Sequence, residues 1–255
     1  MYVVTIHRWQ EATAERAQAL AAVLQVAVFD ARQRLVGNGP AVVATFAEPD
    51  PAQRLVAKLQ ESGFRGFVVD ASAVRADSSF CIVHRFQLAE ANLHFEAVNG
   101  RKGRIAFSEV DLLLPATRIT GHAESRTVTE RKFSVGKTLM AGGLPMTSKV
   151  QRQEVVSGEE RERVLYLCAG TRPWPVFPQG SMVYDGLGAQ MKPSREMNFN
   201  ELAAELRRRC PPGAYDDRLL NRPGQARLLG PLLRPESNLD LALEILAREV
   251  SEDHA

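Results

Sequence analysis

The chain has 255 residues, 45% of them hydrophobic, and its 32 basic and 30 acidic side chains leave a net charge of +2. That hydrophobic content excludes wholesale disorder, and the near balance of charge gives no global reason to expect nucleic acid or an anionic membrane as partner. The length accommodates one or two domains. Three cysteines, Cys81, Cys168 and Cys210, form no CxxC pair, and the five histidines share no metal-site spacing with them. They read as buried thiols in a reducing compartment. The opening MYVVTIHRWQ lacks the basic-then-apolar pattern of a signal peptide, and no run approaches the ~18 apolar residues of a membrane span. A cytoplasmic protein that needs no cofactor is expected.

In chain order, YVVTI (Tyr2–Ile6) predicts a strand. A helix capped at Thr13 follows, with Ala17, Leu20, Ala21 and Leu24 on one face. A short helix over about 27–36 turns Phe29 and Leu35 inward and stops at Gly37-Asn38-Gly39-Pro40. AVVATF (Ala41–Phe46) is a second strand. Asp50 caps the next helix, Pro51 lies in its first turn and Gly63 ends it, with Leu55, Val56 and Leu59 inward. FRGFVVDA (64–71) is a third strand. The order β-α-α-β-α-β predicts a small sheet covered by helices on one face, a split β-α-β module over residues 1–76.

The stretch TAERAQALAAVLQVAVFDARQRLVGNGPAVVATF, continued by PAQRLVAKLQESGFRGFVVD, resembles the C-terminal domain of the bacterial ribosomal stalk protein. The resemblance covers about a quarter of the chain and implies a fold and a protein-binding surface. Of that family's lysine-rich helix face only Arg54 and Lys58 have counterparts here, so the translation-factor role is not implied.

Ala76-Asp77-Ser78-Ser79 is a polar junction, after which strands succeed one another. FCIVHRFQL (80–88), NLHFEAV (92–98) and RIAF (104–107) are three, the last two joined by Asn99-Gly100, a strong hairpin signal. Val110–Leu114, Arg118–Thr120 and Arg126–Phe133 add β-like character, and Gly136–Thr147 reads as loop. KVQRQEVV (149–156) and RVLYLCAG (163–170) flank the polar turn Ser157-Gly158-Glu159-Glu160 and predict a hairpin. WPVFPQGSMVYDGLG (174–188) is a strand whose Pro178 and Gly180 suit an edge or a bulge. The helix after it is capped by Asn198, with Glu201 reaching back, an apolar stripe of Phe199, Leu202, Ala203 and Leu206, and a stop at Pro211-Pro212-Gly213. About seven strands closed by one helix make residues 80–210 a bent, mostly antiparallel sheet or partial barrel. The whole is an α+β protein.

This arrangement resembles the pleckstrin-homology-like fold, and GRKGRIAFSEV (Gly100–Val110) looks like strands of bacterial members. Lipid-binding members of that family carry basic residues in the first hairpin loop, and Arg101, Lys102 and Arg104 are the nearest match. Residues 211–255 read as a Pro/Gly-rich linker and a helical tail. Ser237 or Asn238 caps its helix, and Leu239, Leu243, Leu246 and Val250 share a face that packs on the body or on a partner.

Catalytic patterns fail one by one. Ser134-Val135-Gly136-Lys137-Thr138 contains GKT, but position 131 is Arg131 where a phosphate-cradling loop needs glycine. Gln179-Gly180-Ser181-Met182-Val183 lacks the glycines of a nucleophile elbow. Asp216-Asp217 fits a solvated turn better than a carboxylate pair. His84 and His94 lie on neighbouring strands without further ligands. Two surfaces remain. Trp174 and Phe177, set among prolines, either form an exposed recognition rim or plug the sheet. Arg101, Lys102 and Arg104, with Arg126, Arg131, Lys132, Lys137, Lys149 and Arg152, offer contacts for a phosphate-bearing partner, diluted by Glu124, Glu130 and Glu154. The expected function is a non-catalytic protein-binding adaptor using sheet edges, the Trp174–Phe177 rim and the last helix. The alternative is a peripheral anionic-lipid or phosphate-binding module on the basic loops.

Overall fold

A computed structural model describes residues 1–9, 11–37, 39–74, 80–133, 147–170 and 173–252, with the backbone alone over 119–133 and 147–160. The chain divides into two compact units, Met1–Arg118 with Glu162–Ala255, and Ile119–Arg161. The second unit contains the C-terminal part of one long strand, Leu112–Phe133, and the N-terminal part of the next, Thr147–Cys168. Everything below concerns the first unit unless stated.

Over residues 1–74 the strands and helices follow the expected order. Strands β1 (Tyr2–His7), β2 (Ala41–Phe46) and β3 (Arg65–Asp70) make an antiparallel sheet in the order β2-β1-β3. Helix α1 (Ala14–Leu24) starts at Thr13, whose Oγ1 accepts from Arg16 N at 3.2 Å. Helix α2 (Val28–Arg34) buries Ala31 and is followed by buried Leu35, but Phe29 is 69% exposed rather than inward. Ala31 and Leu35 are four apart and share the inner face, and Phe29, two residues from Ala31, falls opposite. Helix α3 (Pro49–Glu61) starts after Glu48, which makes no side-chain cap bond, and not after Asp50, because Pro49 already has helical backbone as the first residue. A single turn, α4 (Ala71–Val74), ends the module.

The second sheet is six-stranded and open, in the order β6-β5-β4-β9-β8-β7. Its strands are β4 (Phe80–Leu88), β5 (Asn92–Ala97), β6 (Lys102–Ala106), β7 (Leu112–Phe133), β8 (Thr147–Cys168) and β9 (Trp174–Pro178). Two expectations fail here. The hairpin around Ser157–Glu160 does not exist, because β8 runs unbroken for 22 residues. Its sheet neighbour β7 is also 22 residues long, and pairing with a strand that long outweighs a turn signal with one glycine. β9 is also an interior strand, parallel to β4 and antiparallel to β8. Its prolines are tolerated because pairing with β4 ends at Val176, before Pro178, while pairing with β8 begins at Val176, after Pro175. Gln179 N donates to Arg163 O, so by alternation Pro175 faces β8 and Pro178 faces β4. Each missing N–H therefore falls where no ladder bond is due.

Helix α5 (Arg195–Arg209) closes one face of this sheet with Phe199, Leu202 and Leu206, all fully buried against Val83, Leu165 and Phe177. Ser194, not Asn198, caps it, with Oγ accepting from Met197 N at 3.2 Å. Asn198 is committed instead to both backbone groups of Lys192, at 2.6 and 3.0 Å. The stretch read as irregular linker contains helix α6 (Arg222–Leu229), capped by Asn221 with Pro223 in its first turn. Helix α7 (Leu239–Ser251) follows. Asn238 sits at its start but makes no side-chain cap bond there.

The last helix docks on the body. One core places Val3, Phe67 and Val69 of the small sheet and Leu114, Tyr166 and Val176 of the large sheet around Leu241, Leu243, Ile245 and Leu246 of α7. The other face of the small sheet packs on α1–α3 through Val4, Ile6, Leu20 and Leu59. Burial on nearly every side of α7 follows from its place between two sheets. An ion network fastens the same region. Arg218 Nη2 lies 2.5 Å from Asp216 Oδ2 and 2.8 Å from Glu249 Oε2, and its guanidinium also donates to the Gly39 carbonyl.

Candidate functional site

The β5–β6 hairpin carries the site. Its turn is a three-residue loop in which Gly100 takes φ +80°, Gly100 N donates to Ala97 O at 2.9 Å and Ala97 N donates to Arg101 O at 2.8 Å. The register that follows pairs Phe95 with Gly103 and Leu93 with Ile105, and Phe107 N reaches Ala91 O at 3.0 Å. By alternation, Arg101, Gly103 and Ile105 bond to β5, and Lys102, Arg104 and Ala106 aim their N–H and C=O groups away from it. Glu109 Oε2 accepts from Ala106 N at 3.3 Å. The outward groups of Lys102 and Arg104 have no partner among the described residues, so β6 is an open edge. The opposite edge is closed over the first residues of β7, where Leu113 N donates to Ala214 O at 2.7 Å and Asp216 N to Leu113 O at 3.0 Å.

Side chains shape the open edge into two recesses. A Cβ at Gly103 would lie 2.2 Å from Phe95 Cζ, so glycine is what lets the Phe95 ring lie across the strand. On one side is a cleft of about 660 Å³ lined by Arg101, Lys102, Arg104, Phe95, Cys81 and Pro175. On the other, Arg85, Phe86, His94 and the same Phe95 line a recess of about 290 Å³. The nearby carboxylates are already engaged. Asp111 Oδ2 accepts from Gly170 N at 3.1 Å, and Glu109 caps Ala106. Lys102 Nζ stands 3.9 Å from Glu96 with both side chains exposed, a weak pair. Arg101 and Arg104 have no ion-pair partner among the described residues. Burial pushes the Cys81 thiol up, against the opposing pull of Arg101, which disfavours the nucleophilic thiolate.

Other expected site residues are placed elsewhere. Trp174 is 8% exposed and Phe177 fully buried, on opposite faces of β9 within the two cores. They plug the sheet and form no exposed rim. The side chains of Arg126, Arg131, Lys132, Lys149 and Arg152, and all of Ser134–Thr138, lie outside the described residues. His84 sits at a shift in the β4–β5 register and His94 opposes Gln87, so the two histidines do not face one another. Asp216 is held by Arg218 and is not half of a carboxylate pair. Among the described residues no three His, Cys, Asp or Glu side chains gather as metal ligands, and no helix is long and apolar enough to cross a membrane.

Sequence reasoning missed a buried polar group under α7. Thr5 and His7 project from β1 on the same face as Val3, and Thr5 Oγ1 and both His7 ring nitrogens have no hydrogen-bond partner among the described residues. His7 Nε2 lies 3.0 Å from Glu252 Oε2, without the alignment of a hydrogen bond, and its ring meets Phe67 at 5.3 Å. Burial lowers its pKa below the ordinary 6.5, while Glu252 and Glu249 pull it up and Arg8 and Arg65 pull it down. Below that value the unfolded chain takes up the proton more readily than the folded one, so this group removes stability as pH falls and is neutral above it. Urea unfolding of a His7→Leu chain is expected to show a smaller loss of stability between pH 7.5 and 5.5 than the parent; an unchanged loss would assign the slope to other groups.

No protein-family model matches the chain, and no curated protein or solved structure matches it.

Proposed function

We propose that this chain is a non-catalytic protein-binding adaptor or regulator that captures an extended acidic segment of a partner as a further strand on β6. The observation that carries the reading is the coincidence of unpaired outward backbone groups on Lys102 and Arg104 with the cations Arg101, Lys102 and Arg104 at the same edge. Strand addition draws affinity from main-chain bonds and specificity from pockets for alternate side chains. The two recesses flanking Phe95 supply such pockets, and the cations repel a second copy of the same edge while attracting carboxylates.

Selection from a displayed random dodecapeptide library with the full-length chain tests this. Enriched peptides are expected to alternate acidic with apolar residues, and Arg101→Glu with Lys102→Glu should abolish the enrichment without altering the unfolding midpoint. No enrichment, or enrichment that survives the double substitution, would overturn it.

A second reading, a phosphate or anionic lipid headgroup in the 660 Å³ cleft, draws on the same three cations. Arg104→Pro separates the two. Proline removes the outward N–H without touching the β5 ladder, so strand addition suffers beyond the loss seen with Arg104→Ala. Headgroup binding to phosphatidylserine vesicles would suffer equally from both.

A further inference from the structure

We propose that the groove between α2 and α6 is a second binding site, for a small organic anion in which a carboxylate or phosphate is joined to a compact apolar body. The groove encloses about 730 Å³, within the ~300–1,000 Å³ span of small-molecule sites. Its walls are two helices that present the same pattern of positions. Helix α2 offers Asp30, Gln33 and Arg34, and α6 offers Pro223, Ala226 and Arg227, each at i, i+3, i+4 and so on one face. Its floor is Val42 of β2.

The fold places the guanidinium of Arg34 and the stem of Arg227. Arg34 donates to the Val43 carbonyl. Burial lowers its pKa, with Asp30 opposing, and it has no carboxylate partner within ion-pair distance among the described residues. Arg227 has none either. Its stem lies across Gly37, where φ is +94° and a Cβ would stand 3.1 Å from Arg227 Cδ. Gly230, at φ +65°, brings the end of α6 against the Val42 carbonyl, where a Cβ would come within 3.2 Å, and so fixes the width of the groove. Two cations from opposite walls above an apolar floor match a single oxyanion group bound through charge-assisted hydrogen bonds. Asp30 at the rim disfavours a ligand of high negative charge and suits one that also carries a hydroxyl or amine donor.

Titration of the full-length chain with phenyl phosphate, benzoate and inorganic phosphate, read at the Nε–H resonances of Arg34 and Arg227, tests the proposal. Saturable shifts of both arginines are expected with phenyl phosphate or benzoate, the stronger of the two naming the oxyanion, and inorganic phosphate should bind more weakly for want of an apolar body. Arg227→Gln and Gln33→Glu, both at exposed positions, should each weaken binding by ~10-fold or more without changing the unfolding midpoint. Absence of a saturable shift with all three ligands, or binding unchanged in both variants, would overturn it.

Discussion

A chain ending at Ser237 is expected not to fold. The residues removed include Leu239, Leu241, Ala242, Leu243, Ile245, Leu246 and Ala247, all buried between the two sheets. A single large-to-small change such as Leu246→Ala costs ~2–5 kcal/mol, and the whole stability of a typical domain is only ~5–15 kcal/mol. Losing the entire helix also leaves Arg218 without Glu249 and opens the faces of both sheets to water. Circular dichroism and thermal unfolding should show loss of the cooperative transition, with dye binding to exposed apolar surface. A shortened chain with an unchanged transition would make α7 a detachable tail, as the sequence alone permits.

Leu206→Ala should cost ~2–5 kcal/mol at the opposite face of the large sheet. Leu206 is fully buried on α5 together with Phe199 and Leu202, and it shares a core with Val83, Leu165 and Phe177. Cys210 and Ala214, just after the helix, are buried in the same core. Urea denaturation gives the number, and a loss below ~1 kcal/mol would mean that α5 is peripheral to the core.

What the sequence makes legible is local. Thr13 before an apolar stripe, Asn99-Gly100 between alternating runs and the Phe199–Leu206 stripe each carry their own structural reason, and each appears where expected. Helix α6 was legible too, in Asn221 followed by Pro223 and closed by Gly230, but punctuation by five prolines and three glycines across 211–235 obscured it. Three misses are local, since Phe29 falls opposite Ala31 and the helix starts lie at Glu48 and Ser194 instead of Asp50 and Asn198; the others are questions of neighbours. Whether Ser157–Glu160 turns depends on the length of β7, and whether Pro175 and Pro178 are tolerable depends on where two registers end. Trp174 and Phe177 read equally as a binding rim or a plug until β9 is known to be interior. The candidate site divides the same way. Arg101, Lys102 and Arg104 were visible as cations in a hairpin, whereas the open β6 edge, the Phe95 ring over Gly103 and the Arg34–Arg227 groove arise only from pairing and packing.

Amide hydrogen exchange at Lys102 and Arg104, with and without a display-selected acidic peptide, tests the account most directly. In the free chain both amides face outward without a partner among the described residues and should exchange rapidly. Strand addition predicts that saturating peptide slows both, while Gly103, already bonded to β5, changes little. A peptide that binds and leaves the Lys102 and Arg104 amides exchanging as in the free chain would contradict strand addition at β6 and move recognition to another surface.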